Sequence, residues 1–345
     1  MSKPVRILIV GTGGMAGYHA GRYKSIPGVE LVGGVDVRAE QLATFAEKHG
    51  IPNTFASVEE AIAWGQFDAA SNVTPDRFHC STTLPLLAAG KHVLCEKPLA
   101  TNAADAFKMV EAAAQAGVVN AVNLSYRGIA SMHKAAELVR EGAIGEVRFF
   151  EASYLQAWAN HPERWSPAEL WRLSTAHGSK GALGDLGVHI IDFATHVAAL
   201  PVSDVSCRFA VHNKVPGNKH GEYVLDANDS ATMQLKLANG ALGTISATRV
   251  ATGHGNDLRL KIYGTKGALE VLSIEDKVLR AHLEPDGKWQ TIECPLVPEN
   301  YLRFVSAIRG EDALRAPDFA RGAEVQKVLD AAEKSAAEEG RTLSV

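Results

Sequence analysis

Cysteine is scarce in this sequence. Four occur in 345 residues, at 80, 95, 207 and 294, without C-x-x-C spacing and far below the density of a disulfide scaffold, so free thiols in a reducing compartment are expected. Long apolar runs are missing as well. Nothing reaches the roughly 18 residues of a membrane-spanning helix, and the stretch 7–10 before the first glycines is too brief for the apolar part of a secretory leader. A cytoplasmic location without membrane partners is the expectation. Charge of one sign is also lacking: 35 Lys and Arg stand against 39 Asp and Glu, a net −4, and no long like-charge run gives nucleic acid or anionic lipid an electrostatic grip. What remains is ordinary globular material, 46% hydrophobic and 21% charged, of a length that argues for two cores.

In the first third, apolar runs at 5–10, 30–35, 68–72, 92–95 and 118–123 alternate with helical patterns after residue 10 and at 39–49, 77–89 and 102–116. That grammar predicts βαβ units and a parallel sheet covered on both faces. From 126 onward the pattern changes to a helix near 133–141, a strand over 145–153 and a succession of strands between 205 and 292. Asn239-Gly240 divides 231–237 from 242–249, a hairpin signal because both residue types tolerate positive φ. Helical stretches at 300–309 and 319–339 close the chain. The expected fold class is therefore α/β: a doubly wound parallel sheet over 1–124, then a second domain over 125–345 built on a mostly antiparallel sheet.

The first strand runs directly into Gly11-Thr12-Gly13-Gly14-Met15-Ala16-Gly17, a form of the dinucleotide fingerprint. Gly11 permits the tight turn, Gly13 lets a pyrophosphate approach the backbone, and Ala16 lets the helix pack on the strand. Asp36 follows about 20 residues later at the next strand end, where an acid binds ribose hydroxyls. A carboxylate there favours NAD, while Arg38 keeps NADP open, since a guanidinium holds the extra phosphate if Asp36 turns away. The missing Walker lysine excludes a P-loop at this position. After the strand at 92–95 comes Glu96-Lys97-Pro98. The carboxyl end of a parallel strand is where ligands bind, so Lys97 emerges beside the cofactor, with a solvated surface lysine as the plain alternative. Asp185, His189 and Asp192 crowd one face if their segment is helical, and a carboxylate beside the imidazole raises its basicity and fixes its tautomer. A structural, capped histidine is the bland alternative, and a metal site lacks a convincing further ligand. Trp158, Trp165 and Trp171 with Gln156 and Arg172 suit a sugar ring, or else fill a core. His19 is expected near the dinucleotide, His254 on a mobile surface loop, and His133 and His196 in core or helix-surface positions.

Gly11 to Gly17, Asp36, Asn72-Val73-Thr74-Pro75 with His79, the run from Gly90 to Pro98, Arg127, the run from Glu141 to Glu146, and Gly184-Asp185-Leu186-Gly187-Val188-His189-Ile190-Ile191-Asp192 together resemble the Gfo/Idh/MocA oxidoreductase family over essentially the whole chain. The resemblance implies a Rossmann domain, a C-terminal α/β domain with a large open sheet, NAD or NADP, a sugar, anhydro-sugar or cyclitol substrate, and a homo-oligomer, dimer or tetramer. It places the catalytic lysine on Lys97, the catalytic histidine on His189 and the preceding acid on Asp185. Expected cofactor contacts are Gly11, Gly13, Gly14, Met15, Asp36, Arg38, Asn72, Thr74, Pro75, His79, Glu96 and Lys97. Expected substrate contacts are Lys97, Arg127, Gln156, Trp158, Trp165, Arg172, Asp185 and His189, with no metal. Hydride transfer from a secondary alcohol to the nicotinamide is the implied reaction. The same resemblance admits two alternatives, redox-assisted glycoside hydrolysis with tightly held NAD and a non-catalytic NAD-sensing regulator.

Overall fold

A computed structural model describes residues 3–284, 287–311 and 313–345. The chain divides into two compact units, Met1–Ser125 with Pro298–Gln326, and Tyr126–Val297 with Lys327–Val345. A linear division at 124/125 puts 298–326 in the second domain; in the structure those residues pack with the first.

The first unit alternates β1 (Val5–Val10), α1 (Ala16–Lys24), β2 (Val29–Val35), α2 (Ala39–His49), β3 (Thr54–Phe55), α3 (Val58–Trp64), β4 (Ala69–Asn72), α4 (His79–Ala88), β5 (His92–Cys95), α5 (Ala103–Ala116) and β6 (Asn120–Val122). The strands form a parallel sheet in the order β3-β2-β1-β4-β5-β6. Ile7, Leu8 and Ile9 of β1 are wholly buried, as a central strand covered on both faces requires. Local chemistry sets the helix ends: Ser57 and Asn102 accept the amides of Glu60 and Asp105 at the starts of α3 and α5, and Gly50, Gly65 and Gly117 close α2, α3 and α5 with left-handed backbone. The strand order reverses between β1 and β4, so the glycine turn after β1 and the turn after β4 flank the switch point where such sheets bind dinucleotides.

The second unit begins with α6 (Ala130–Arg140) and β7 (Val147–Leu155), then α7 (Pro167–Leu170), α8 (Val188–Ala198), β8 (Val202–Ala210), β9 (Lys219–His220), β10 (Tyr223–Val224), β11 (Ser230–Leu237), β12 (Leu242–Thr248), β13 (Asp257–Gly264), β14 (Gly267–Leu272), β15 (Val278–Leu283) and β16 (Trp289–Glu293). α9 (Asn300–Ile308) belongs to the first unit, α10 (Phe319–Ala337) runs from the first into the second, and β17 (Leu343–Ser344) ends the chain. Nine strands form one sheet in the order β16-β15-β14-β13-β7-β12-β11-β8-β17. Every pairing is antiparallel except β7 with β12. The β11–β12 hairpin forms, but only Gly240 takes a positive φ. Asn239 instead ties the turn to the sheet by donating its amide to the Val147 carbonyl.

Helices α6 and α8 pack against one face of this sheet, where Phe150, Ile245, Leu260 and Ile262 are buried. On the opposite face the register aligns Trp289, His282, Ala268, Tyr263, Phe149 and Leu242 in a row across six strands. Phe149, Leu242 and Trp289 of this row are exposed.

Candidate active site

In the first unit the glycine turn behaves as its sequence requires. Gly11 has φ +88°, and a Cβ there would lie 2.8 Å from the Val73 carbonyl oxygen, so neither the conformation nor the space admits a side chain. A Cβ on Gly13 or Gly14 would meet no atom within 4 Å. The backbone at both is bare and approachable just ahead of the α1 N-terminus, which fits a pyrophosphate. Met15 is exposed beside them, and Ala16 is wholly buried.

Asp36 does not turn away. Its Oδ2 accepts the Thr12 amide at 2.9 Å and hydroxyl at 2.7 Å, and its Oδ1 accepts the Arg38 amide at 2.9 Å. The Arg38 guanidinium closes onto the same carboxylate. Burial alone would raise the Asp36 pKa, but the bonds from Arg38 and Thr12 hold it down at about 2. Arg38 is thus paired with Asp36, the acid that would have to turn away to leave it for a phosphate.

The turn after β4 is built by Asn72, wholly buried. Its Oδ1 accepts from the amide and hydroxyl of Thr74, and its Nδ2 donates to Thr82, Thr83 and the His79 carbonyl. Asn72 therefore shapes the turn carrying Thr74 and Pro75. His79, also wholly buried, meets the Pro98 carbonyl through Nδ1 at 2.7 Å and the Thr74 carbonyl through Nε2 at 2.9 Å. It clamps the β4 turn to the residue after Lys97. The Lys97–Pro98 bond is cis.

Glu96 anchors the other side of Lys97. Its Oε1 accepts from Asn123 at 2.6 Å and meets His19 Nε2 at 2.8 Å, and its Oε2 accepts the Lys97 amide at 3.1 Å. Burial pushes this carboxyl up, yet His19, Asn123 and Lys97 bring it down to about 2. His19 completes the bridge to Ser71 at 2.8 Å. Asn123 also donates to the hydroxyl of Tyr301 on α9 at 3.0 Å, and that ring stands edge-on to His19 and Tyr23. Sequence reasoning missed Ser71, Asn123 and Tyr301, because a partner 178 residues away leaves no local pattern.

In the second unit, Leu183–Gly187 forms a wide π-type turn leading straight into α8, a distortion that recurs at functional sites. It carries Asp185, and α8 carries His189 and Asp192. Asp192 is gripped by both arms of Arg127 at 2.6 Å each, so Arg127 holds α8 from the turn before α6. Asp185 Oδ2 accepts from Arg249 at 2.9 Å, with Arg172 Nε at 3.7 Å from the same oxygen. The His189 ring stands edge-on to Tyr126 and Tyr154 at 4.9 and 6.1 Å between centroids, and those two hydroxyls lie 2.6 Å apart. Burial raises the Tyr154 phenol well above its ordinary value.

Gln156 accepts from Trp158 Nε1 at 2.8 Å and donates to Asn256 at 2.6 Å. Trp165 donates to the Trp158 carbonyl at 3.0 Å, and both indoles pack on a small core of Ala159, Leu173 and Leu225. Arg172 lies over the ring of Trp171 at 4.7 Å. His254 is no loose surface residue, because Asp257 holds its Nδ1 at 2.8 Å. His133 and His196 sit on α6 and α8 half-buried. The sequence reading overlooked Arg249, although its signal was present: it falls on the inward parity of β12, after Gly243, Ile245 and Ala247.

Comparison with known proteins decides the family. Residues 5–124 match the family model described as "Oxidoreductase family, NAD-binding Rossmann fold", and residues 132–270 match "GFO/IDH/MocA C-terminal domain". The chain belongs to the GFO/IDH/MocA oxidoreductase family. Among its relatives, levoglucosan dehydrogenase of Pseudarthrobacter phenanthrenivorans is 28% identical, covering 88% of this chain and 87% of that protein. Myo-inositol 2-dehydrogenase of Thermotoga maritima is also 28% identical, over 77% and 74% of the two chains. Among solved structures, an oxidoreductase domain protein from Kribbella flavida superposes with a TM-score of 0.87 at 28% identity over 100% of both chains. Levoglucosan dehydrogenase in complex with NADH and levoglucosan gives 0.85 at 25% identity over 99% and 100%. Membership makes this GFO/IDH/MocA chain an NAD-binding oxidoreductase whose relatives are sugar and polyol dehydrogenases. Among the described residues no helix is long and apolar enough to cross a membrane.

Proposed function

We propose that this chain oxidises a secondary alcohol of a sugar, anhydro-sugar or cyclitol with NAD, using Lys97, His189 and Asp185. One observation carries the reading: two halves of one family's pattern match this chain, with Lys97 inside 5–124 and Asp185 and His189 inside 132–270. Gly11, Gly13, Gly14 and Asp36 would hold the cofactor, with Glu96 and His79 fixing the backbone around Lys97. NAD, when bound, supplies the acceptor for the substrate's hydride. Lys97, as ammonium, donates a hydrogen bond to the substrate hydroxyl oxygen and stabilises its alkoxide character, while His189 takes the proton. Asp185 orients His189, and the same groups return the proton in the reductive direction. Gln156, Trp158, Trp165 and Arg172 supply aromatic faces and polar heads for a neutral, many-hydroxyl ligand. Because Asp36 is ionised, anchored and closed on Arg38, NAD is favoured over NADP.

The same reading includes a cytoplasmic homo-oligomer, with the apolar row on the outer sheet face covered by a second copy. The enzymatic claim is tested by screening sugars, cyclitols and anhydro-sugars with NAD and with NADP while following nicotinamide absorbance. Turnover with NAD is expected, falling by roughly 10²-fold or more in Lys97→Ala and in His189→Ala. Silence of the unaltered protein across the panel with both cofactors would sink the dehydrogenase reading and favour a recycling enzyme or a regulator.

A further inference from the structure

Arginine at 249 sits where the alternation of β12 calls for an apolar residue, and it is wholly buried. A guanidinium is tolerated in a core only where partners replace its water. Its partners here are specific. Nη1 donates to the Arg172 carbonyl at 2.7 Å, and Nη2 donates to the Gly181 carbonyl at 3.2 Å and to Asp185 Oδ2 at 2.9 Å. The guanidinium carbon lies 5.4 Å from the centroid of the Trp158 ring, a cation–π distance. Behind it, Lys214 and Asp229 form a second buried ion pair at 2.7 Å, and the Asp229 carbonyl accepts the Arg249 amide at 2.9 Å. Positive and negative groups therefore alternate from Lys214 through Asp229, Arg249 and Asp185 to Arg172.

We infer that Arg249 is the positioning residue of the sugar side: one buried guanidinium locks the Asp185 carboxylate, the backbone that carries Arg172 and the face of Trp158 into a single arrangement. This inference rests on the dehydrogenase reading for what the arrangement binds, but not for the arrangement itself. Arg249 has no exposed surface, so it touches neither sugar nor cofactor and acts through its neighbours. Stability alone does not account for it, because its Nε–H has no partner among the described residues. A buried donor left unpaired is unfavourable, and an apolar side chain of similar volume would avoid that cost.

The test uses the full chain with Arg249→Met and Arg249→Lys, followed by hydrogen exchange, NADH fluorescence titration and steady-state kinetics. In Arg249→Met, amide exchange across 171–186 is expected to accelerate at least tenfold, while NADH affinity stays within about twofold of the unaltered protein. With a turned-over sugar, kcat/KM is expected to fall roughly 30-fold or more, with KM for the sugar rising and KM for NAD unchanged. Arg249→Lys, which keeps the charge but loses the two-carbonyl fork, is expected to lie between the two and guards against a methionine variant that does not fold. In an Asp185→Asn background, Arg249→Met is expected to cost clearly less than in the unaltered protein, since the contact between the two residues is shared by both changes while the Arg172 and Trp158 contacts remain to be lost. Unchanged exchange across 171–186 in both variants would overturn the inference, and so would a full, additive loss in the Asp185→Asn background. A protein that turns over no sugar fails the dehydrogenase reading alone, because the exchange measurement still decides the role of Arg249.

Discussion

Each ring nitrogen of His79 meets a carbonyl oxygen, and a carbonyl has no proton to give. Both nitrogens must therefore carry hydrogen, which makes the buried ring an imidazolium. Burial pulls its pKa down, but neighbouring Cys95, Asp76 and the Pro98 carbonyl outweigh it and raise the value to about 10. A pKa raised in the folded state contributes stability that is complete below the ordinary histidine value and fades as pH climbs through about 10. We expect nitrogen-15 spectra of labelled histidine to show one residue protonated at both ring nitrogens at pH 8, absent in His79→Gln, with urea stability declining as pH rises toward 10. A neutral tautomer at pH 8 would refute the clamp as described. Because His79 joins the turn after β4 to the residue after Lys97, its loss should also weaken NADH binding.

At the scale of elements, the glycine turn gives the sharpest expectation. Gly11→Ala places a methyl 2.8 Å from the Val73 carbonyl oxygen at a φ of +88°, so β1 cannot pass into α1 without displacing the β4 turn. NADH titration should show binding lost, or weakened by roughly 10²-fold, and thermal melting should fall by several degrees. At Gly13 and Gly14 an added methyl would enter open space, so alanine there should be tolerated in melting far better than in cofactor binding.

Much of this was legible in advance. The periodicity of residues 5–123 contains five of the six parallel strands, since each is a short apolar run bounded by a helix. β3 and α3 escaped notice because a two-residue strand and a seven-residue helix are too short for a period to emerge. The parallel contact of β7 with β12 was not legible, since the sequence gives strands but not their neighbours. Candidate side chains with local motifs (Gly11, Asp36, Lys97, Asp185, His189) could be read directly. Those defined by distant partners, such as Arg249 on Asp185 or Tyr301 on Asn123, could not.

For the whole molecule, the outer face of the nine-stranded sheet is the feature that bears on assembly. Phe149 and Tyr263 stack at 6.2 Å in the middle of the row, and Leu242 at 58% exposure extends it. A contiguous apolar stripe of this kind is costly to leave in water. Light scattering coupled to size exclusion should give a dimer or tetramer, and Leu242→Glu with Phe149→Glu should shift it toward the monomer. A monomeric unaltered protein would remove this part of the proposal.

The return of residues 298–326 to the first unit has a consequence in time. Val122 donates its amide to the Pro317 carbonyl at 2.8 Å, Asn120 accepts the Phe319 amide at 2.8 Å, and Tyr301 fills the space between His19 and Tyr23. Synthesis runs from the N-terminus, so the half that emerges first lacks these partners until nearly the whole chain has been made. The nucleotide-binding half begins first and is complete only when residues 298–326 have been added near the end of synthesis. The gene can therefore be cut at residue 125 without interrupting any strand of that sheet, yet the fragment so produced is an unfinished object rather than a domain.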